Sequence, residues 1–154
     1  MKLYTLDQTQ DFPISVAEAW EFFSAPANLD SITPPDVAFH LTGDHSGPMY
    51  ESRILTYRIT IAPLVTVNWV TEIKAIDEGR SFVDEQRSGP YAFWHHRHTF
   101  EAIPGGVRMN DLIHYAVPVG LLGGLTHPLI VRPKLERIFN YRRAELARRF
   151  GTLG

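Results

Sequence analysis

A chain of 154 residues with 44% hydrophobic and 12% aromatic side chains has the size of one domain and enough apolar material for one core, which excludes intrinsic disorder. It has no cysteine, so disulfide scaffolds, cysteine-ligated zinc and thiol nucleophiles are excluded, leaving hydroxyl, imidazole and carboxylate chemistry. Its net charge of −2 is too near neutral to argue for nucleic acid, and with no long apolar run and a polar start it is expected to be soluble and cytoplasmic.

Leu3 to Phe12 carries β-forming residues and stops at Pro13, which cannot donate to a ladder. Ser15-Val16-Ala17-Glu18 fits a capping box, and Val16, Ala19, Trp20 and Phe23 then recur at helical spacing. Pro26 opens a second short helix to about Ser31, which Pro34-Pro35 ends. From Val37 to Val117 the pattern is β, with strands expected at 37–42, 50–61, 65–76, 81–87, 91–103 and 107–117, separated by Gly- and Pro-containing turns. No βαβ alternation occurs, so the sheet should be antiparallel. After the apolar, Gly-rich stretch 118–125 a helix runs from about Leu129 to Phe150. Val131, Leu135, Ile138, Phe139, Leu146 and Phe150 share one face of it, with Arg142 set among them. The expected fold is a single α+β domain over residues 1–154. Its seven-stranded curved antiparallel sheet wraps around the long C-terminal helix, with two short helices after the first strand and an internal cavity between sheet and helix.

A two-residue turn at Pro104-Gly105 pairs Ile103 with Gly106 and holds the partner numbers of the flanking strands to a sum of 209. Trp94 then faces Tyr115, His96 faces Ile113, His98 faces Asp111 and Phe100 faces Met109, all on one side of the sheet. The other side carries mostly polar residues, so this aromatic side points inward, with His96, His98 and Asp111 set into it. Three readings of these polar residues stand side by side. His98 and Asp111 form a structural cross-strand pair, or they are polar handles on a ligand, with Arg142 as a partner for an anion. In the third, His96, His98 and Asp111 are the two-histidine, one-carboxylate set of a metal site. Spacing alone is a weak argument for the third, and neither metal nor cofactor is expected. In Phe82-Val83-Asp84-Glu85-Gln86 the parity that turns Phe82, Asp84 and Gln86 inward is preferred, with Gln86 as the binding residue. There is no Gly-x-Ser-x-Gly elbow and no phosphate-binding Gly loop.

Between Arg132 and Arg149 lie seven of the fifteen basic residues against only Glu136 and Glu145. A solvated face is the ordinary meaning of such a helix. Together with the apolar 121–125 loop it also allows weak docking to a membrane or partner, and the glycines of 118–125 allow a lid.

The order of elements, with Pro13-Ile14-Ser15-Val16-Ala17-Glu18-Ala19-Trp20 after the first strand and the long terminal helix, resembles the START-related, birch-pollen-allergen-like helix-grip superfamily (SRPBCC) over nearly the whole chain. Phe82-Val83-Asp84-Glu85-Gln86, Gly89-Pro90-Tyr91, Trp94-x-His96-x-His98-x-Phe100, Asp111-x-x-x-Tyr115 and Phe139-x-Tyr141-Arg142 resemble its bacterial ligand-binding branch, also labelled cell-division-inhibitor-like. The resemblance implies an internal cavity and functions from carriage of hydrophobic ligands to polyketide cyclisation. The expectation is therefore a non-enzymatic binding protein for a small hydrophobic or aromatic molecule. Its wall would be Trp94, Phe100, Met109, Tyr115 and Phe139, and its polar handles Gln86, His96, His98, Asp111 and Arg142. The alternative is a cyclase or aromatase in which His98, oriented by Asp111, acts as general acid or base.

Overall fold

The computed structural model describes residues 1–37, 39–43, 45–62, 64–118 and 127–153. Strand β1 (Tyr4–Phe12) leads into helix α1 (Val16–Phe23). The capping box forms as the sequence predicts: Ser15 N donates to Glu18 Oε2 at 2.8 Å and Glu18 N donates to Ser15 Oγ at 3.1 Å. The second short helical stretch takes the form of two 3₁₀ helices, Pro26–Asn28 and Asp30–Ile32. Strands β2 (His40–Leu41), β3 (Ile54–Ala62), β4 (Val65–Asp77), β5 (Ser81–Ser88), β6 (Phe93–Ile103) and β7 (Gly106–Ala116) come next. The chain ends in a π turn, His127–Val131, that runs into helix α2 (Arg132–Phe150).

The sheet has the order β1-β7-β6-β5-β4-β3-β2 with antiparallel pairing throughout. The β6–β7 ladder has the register set by the Pro104-Gly105 turn, from Ile103 opposite Gly106 to Trp94 opposite Tyr115. β2 keeps only two residues of the expected 37–42 strand, and β3 begins four residues later than expected. Irregular pairings interrupt the β4–β5 ladder at Val70/Thr71 and Lys74/Asp77. At the second of these Ala75 has a φ of 49°, and the Glu51 carboxylate accepts from both Ala75 N and Ile76 N at 3.1 Å. Such bulges bend a sheet, and this one curls over the helix.

Two apolar clusters lie between sheet and helix. At one end Phe12, Phe82, Phe100, Val107 and Met109 pack with Leu146 under α1, sealed by edge-on pairs such as Trp20 with Phe100 at 5.9 Å and Phe22 with Phe150 at 5.1 Å. At the other end Leu55, Tyr57, Ile59, Trp69, Ile73 and Trp94 face Leu135 and Phe139 of α2. No helix among the described residues is long and apolar enough to cross a membrane.

Gly106 opens β7 where β1 passes closest: a Cβ there would stand 1.9 Å from the Phe12 carbonyl oxygen. Gly106→Ala is therefore expected to lose about 3 kcal/mol or more. Gly79→Ala, in open space at a φ of 75°, loses only about 1 kcal/mol, the strain of a left-handed non-glycine residue. Urea denaturation midpoints of the two variants measure the contrast.

Candidate functional site

The half of the helix that faces Trp69 and Trp94 does not fill its end of the sheet, and a cavity of about 380 Å³ remains. Its wall is aromatic and aliphatic, with Phe39, Tyr57, Trp69, Tyr91, Trp94 and Phe139 among the lining residues. Asp84, His96, His98 and Arg142 supply ionisable groups to the wall, and Lys134, whose Nζ donates to the Ile61 carbonyl, closes its edge.

The register places the polar group. Asp84 of β5 lies opposite His96 of β6, and His98 of β6 lies opposite Asp111 of β7. Because side chains alternate along a strand, all four point to the helix side. The imidazoles lean together with ring centroids 3.8 Å apart, and each reaches both carboxylates. His96 Nε2 stands 2.9 Å from Asp111 Oδ1 and His98 Nε2 stands 2.9 Å from Asp84 Oδ2, both in hydrogen-bonding geometry. The Nδ1 atoms close the ring: His96 Nδ1 is 3.1 Å from Asp84 Oδ2, and His98 Nδ1 is 2.8 Å from Asp111 Oδ1, the latter out of line for a hydrogen bond. Trp94 Nε1 donates to the remaining Asp84 oxygen, Oδ1, at 3.0 Å, and Phe82 stacks on His98 at 4.3 Å.

Burial disfavours every charge in this group. For Asp84 and Asp111 the neighbouring imidazoles more than offset it, and both carboxyls are held well below the usual carboxylate range. For His96 the two carboxylates overcome burial and lift the ring to about 9. Arg142 is 8% exposed, and burial lowers it while Asp111 and Asp84 act in the opposite direction. Its guanidinium lies 4.7 Å over the Phe139 ring, and its Nε finds no acceptor among the described residues.

Trp94, His96, His98, Phe139 and Arg142 all line the cavity, as the sequence suggests. Asp111 lies behind the imidazoles, outside the lining. Phe100 and Met109 share the inward face but belong to the sealed cluster under α1. The Tyr115 hydroxyl is 2.9 Å from His127 Nε2, away from the cavity. Gln86 shapes a turn: its Nε2 donates to the Tyr91 carbonyl at 2.8 Å and its Oε1 accepts from Tyr91 N at 3.2 Å. Asp84 is the site residue that sequence reasoning missed. Its signal was present, because the parity preferred for Gln86 carries Asp84 to the same face. The 121–125 docking loop and most of the 118–125 lid lie outside the described residues. The basic residues of α2 are engaged within the chain, Arg132 with Glu136, Arg137 with Asp36, Arg148 with Glu145, Arg143 with the Thr9 carbonyl and Arg149 over the Phe22 ring.

No protein-family model and no curated protein matches the sequence. Solved structures do match in shape. Protein Ms6760 from Mycobacterium smegmatis is 18% identical, with a TM-score of 0.65 over 95% of this chain and 94% of that one. The Zhui aromatase/cyclase from Streptomyces sp. R1128 is 11% identical, with a TM-score of 0.70 over 94% and 92%. Ara h 8.0201 is 14% identical, with a TM-score of 0.56 over 93% and 97%. The protein therefore shares the helix-grip fold of these structures. At these identities the likeness is one of fold.

Removing Asp111 takes one of two carboxylates from the buried imidazoles and one of the two long-range counter-charges from Arg142. Asp111→Ala is expected to cost about 3–5 kcal/mol. Asp11→Ala, which opens the exposed pair between Asp11 and Arg108, leaves the denaturation midpoint close to that of the wild type. Chemical denaturation of the two variants checks the difference.

Proposed function

We propose that the chain binds a small, largely hydrophobic molecule in the cavity between the sheet and α2, as a non-enzymatic carrier or sensor. The observation that carries this reading is the composition of the wall: apolar and aromatic side chains around about 380 Å³, with Asp84, His96, His98, Lys134 and Arg142 as its ionisable groups. A body packed against Trp69, Tyr91, Trp94 and Phe139 gains its affinity from burial, at about 25 cal/mol per Å² of apolar surface. Arg142 supplies orientation. A buried guanidinium whose Nε has no acceptor favours a ligand with a carboxylate or another electron-rich oxygen at one end.

A cyclase-type enzyme is the second reading, and one observation favours it. His98 lines the cavity and is held between Asp84 and Asp111, as an oriented acid or base must be. The Zhui aromatase/cyclase is among the proteins that share the fold.

Native mass spectrometry of the chain purified without detergent, followed by denaturation and analysis of what is released, separates these readings. A carrier is expected to release a bound organic molecule, with occupancy reduced at least tenfold in Trp94→Ala and His98→Ala. Uptake equal to the wild type in both variants would sink the site assignment. Turnover of the released compound, with a rate that falls in His98→Ala, would move the protein to the enzyme reading.

A further inference from the structure

We propose that Asp84, His96 and His98 form a binding site for one divalent transition-metal ion whose remaining coordination positions open into the cavity. The donor atoms are Asp84 Oδ2, His96 Nδ1 and His98 Nε2. Asp84 Oδ2 is 3.1 Å from the first nitrogen and 2.9 Å from the second. Ligands at right angles around an ion with bonds of about 2.1 Å stand about 3 Å apart, so a cation can replace the shared protons with little side-chain movement. The three residues form a group that could hold a metal ion, and all three line the cavity.

What distinguishes this group from an ordinary buried ion pair is how the other atoms are used. Trp94 Nε1 holds Asp84 Oδ1 at 3.0 Å, which leaves Oδ2 facing the two rings. Asp111 Oδ1 holds His96 Nε2 at 2.9 Å, which leaves Nδ1 as that ring's inner nitrogen. The same Asp111 oxygen is 2.8 Å from His98 Nδ1, which leaves Nε2 as the inner nitrogen of the second ring. Asp84 and His96 thus have their outer atoms held by hydrogen bonds, His98 Nδ1 rests against the same Asp111 oxygen without one, and the donor atoms of the three residues lie within 4.8 Å of one another. A carboxylate behind a metal-bound imidazole is the usual means of fixing its tautomer and orientation. Asp111 is accordingly a positioning residue and not a third-ligand carboxylate.

Charge and donor type agree with this assignment. The buried Asp111 and the half-buried Asp84 carry two negative charges, which one divalent ion neutralises while both imidazoles stay neutral, and Arg142 is then left for an anionic group on a cavity ligand. Two nitrogens and one oxygen suit zinc, iron or cobalt and not magnesium or calcium, which take oxygen ligands. Three protein ligands facing a cavity leave positions for a further ligand, the pattern of open and not of structural metal sites. The site is independent of the carrier reading, since a cavity can take up an organic molecule with or without the ion.

The chain, stripped with a chelator, is titrated with Co²⁺ alone while its visible absorption and tryptophan emission are followed. The expected result is saturation at one ion per chain, with quenching of Trp94, whose indole touches Asp84. His98→Gln and Asp84→Asn should each weaken binding at least 100-fold, and Asp111→Asn about 10–100-fold. His95→Gln and His114→Gln, on the outer face with rings 6.3 Å apart, should leave it unchanged. Circular dichroism checks folding. If the inner variants do not fold, histidine-ring NMR of the wild type with Zn²⁺ replaces them, with only the His96 and His98 resonances moving. The proposal is overturned if the folded wild type shows no saturable Co²⁺ absorption. It is equally overturned if binding persists in folded Asp84→Asn and His98→Gln, or if the His95 and His114 resonances move instead. Retention of an organic molecule by a chain that binds no metal would leave the carrier reading standing and remove this one.

Discussion

Two buried imidazoles held between the buried Asp111 and the half-buried Asp84, on three neighbouring strands, are the constraint that ties the inner face of the sheet to one register. Each charge alone costs several kcal/mol to bring out of water, and the group persists because every carboxylate meets both rings. That arrangement exists in one register. Asp84 must lie opposite His96 while His98 lies opposite Asp111, and a slip of one residue in β6 would turn both rings to solvent and bring His95 and Arg97 inside. The tight turn at Pro104-Gly105 and the continuous β5–β6–β7 pairing therefore matter to the chemistry of the wall as much as to the stability of the sheet.

Helix α2 answers this constraint with one stripe that serves two purposes. Leu135, Phe139, Arg142 and Leu146 follow one another at helical spacing and are all buried. Leu146 belongs to the sealed cluster under α1, whereas Leu135 and Phe139 border the cavity, and Arg142 stands at the junction. The contrast with Arg53 shows what is unusual there. Arg53 is equally buried, but its guanidinium donates to the carbonyls of Ser46, Gly47 and Pro48 and so ties down a loop. Arg142 has no comparable set of acceptors around its Nε, and its charge is offset at longer range by Asp84 and Asp111.

Much of this was legible in the sequence, for identifiable reasons. The β6–β7 register followed from a two-residue turn and strict alternation, and the same alternation assigned Trp94, His96, His98, Asp111 and Tyr115 to the inner face. Alternation gives a side of the sheet, however, and not a neighbour along the helix. Phe100 and Met109 accordingly fell among the expected wall residues, although α1 covers them. The missing element was Asp84. Between Ser88 and Phe93 the chain makes no tight hairpin, and irregular pairing at Val70/Thr71 shifts β4 against β5, so nothing local set the register of β5. Without it, Asp84 could not be placed across from His96, and the carboxylate partner of the two histidines was sought on β7 alone.

Shape and chemistry separate cleanly in this molecule. A bulged sheet and an apolar helix stripe are sufficient for the concavity, and structures with 11% to 18% identity share that shape. The ionisable group is not what shapes that concavity. Well-packed apolar side chains in place of a buried ion cluster are often neutral or stabilising, and the sheet has them close by, with Ile73 on β4 and Ile113 on β7 also buried. Stability alone therefore does not require Asp84, His96, His98, Asp111 and Arg142 at this wall. Local departures of that kind are expected where a site has to hold something other than the protein itself.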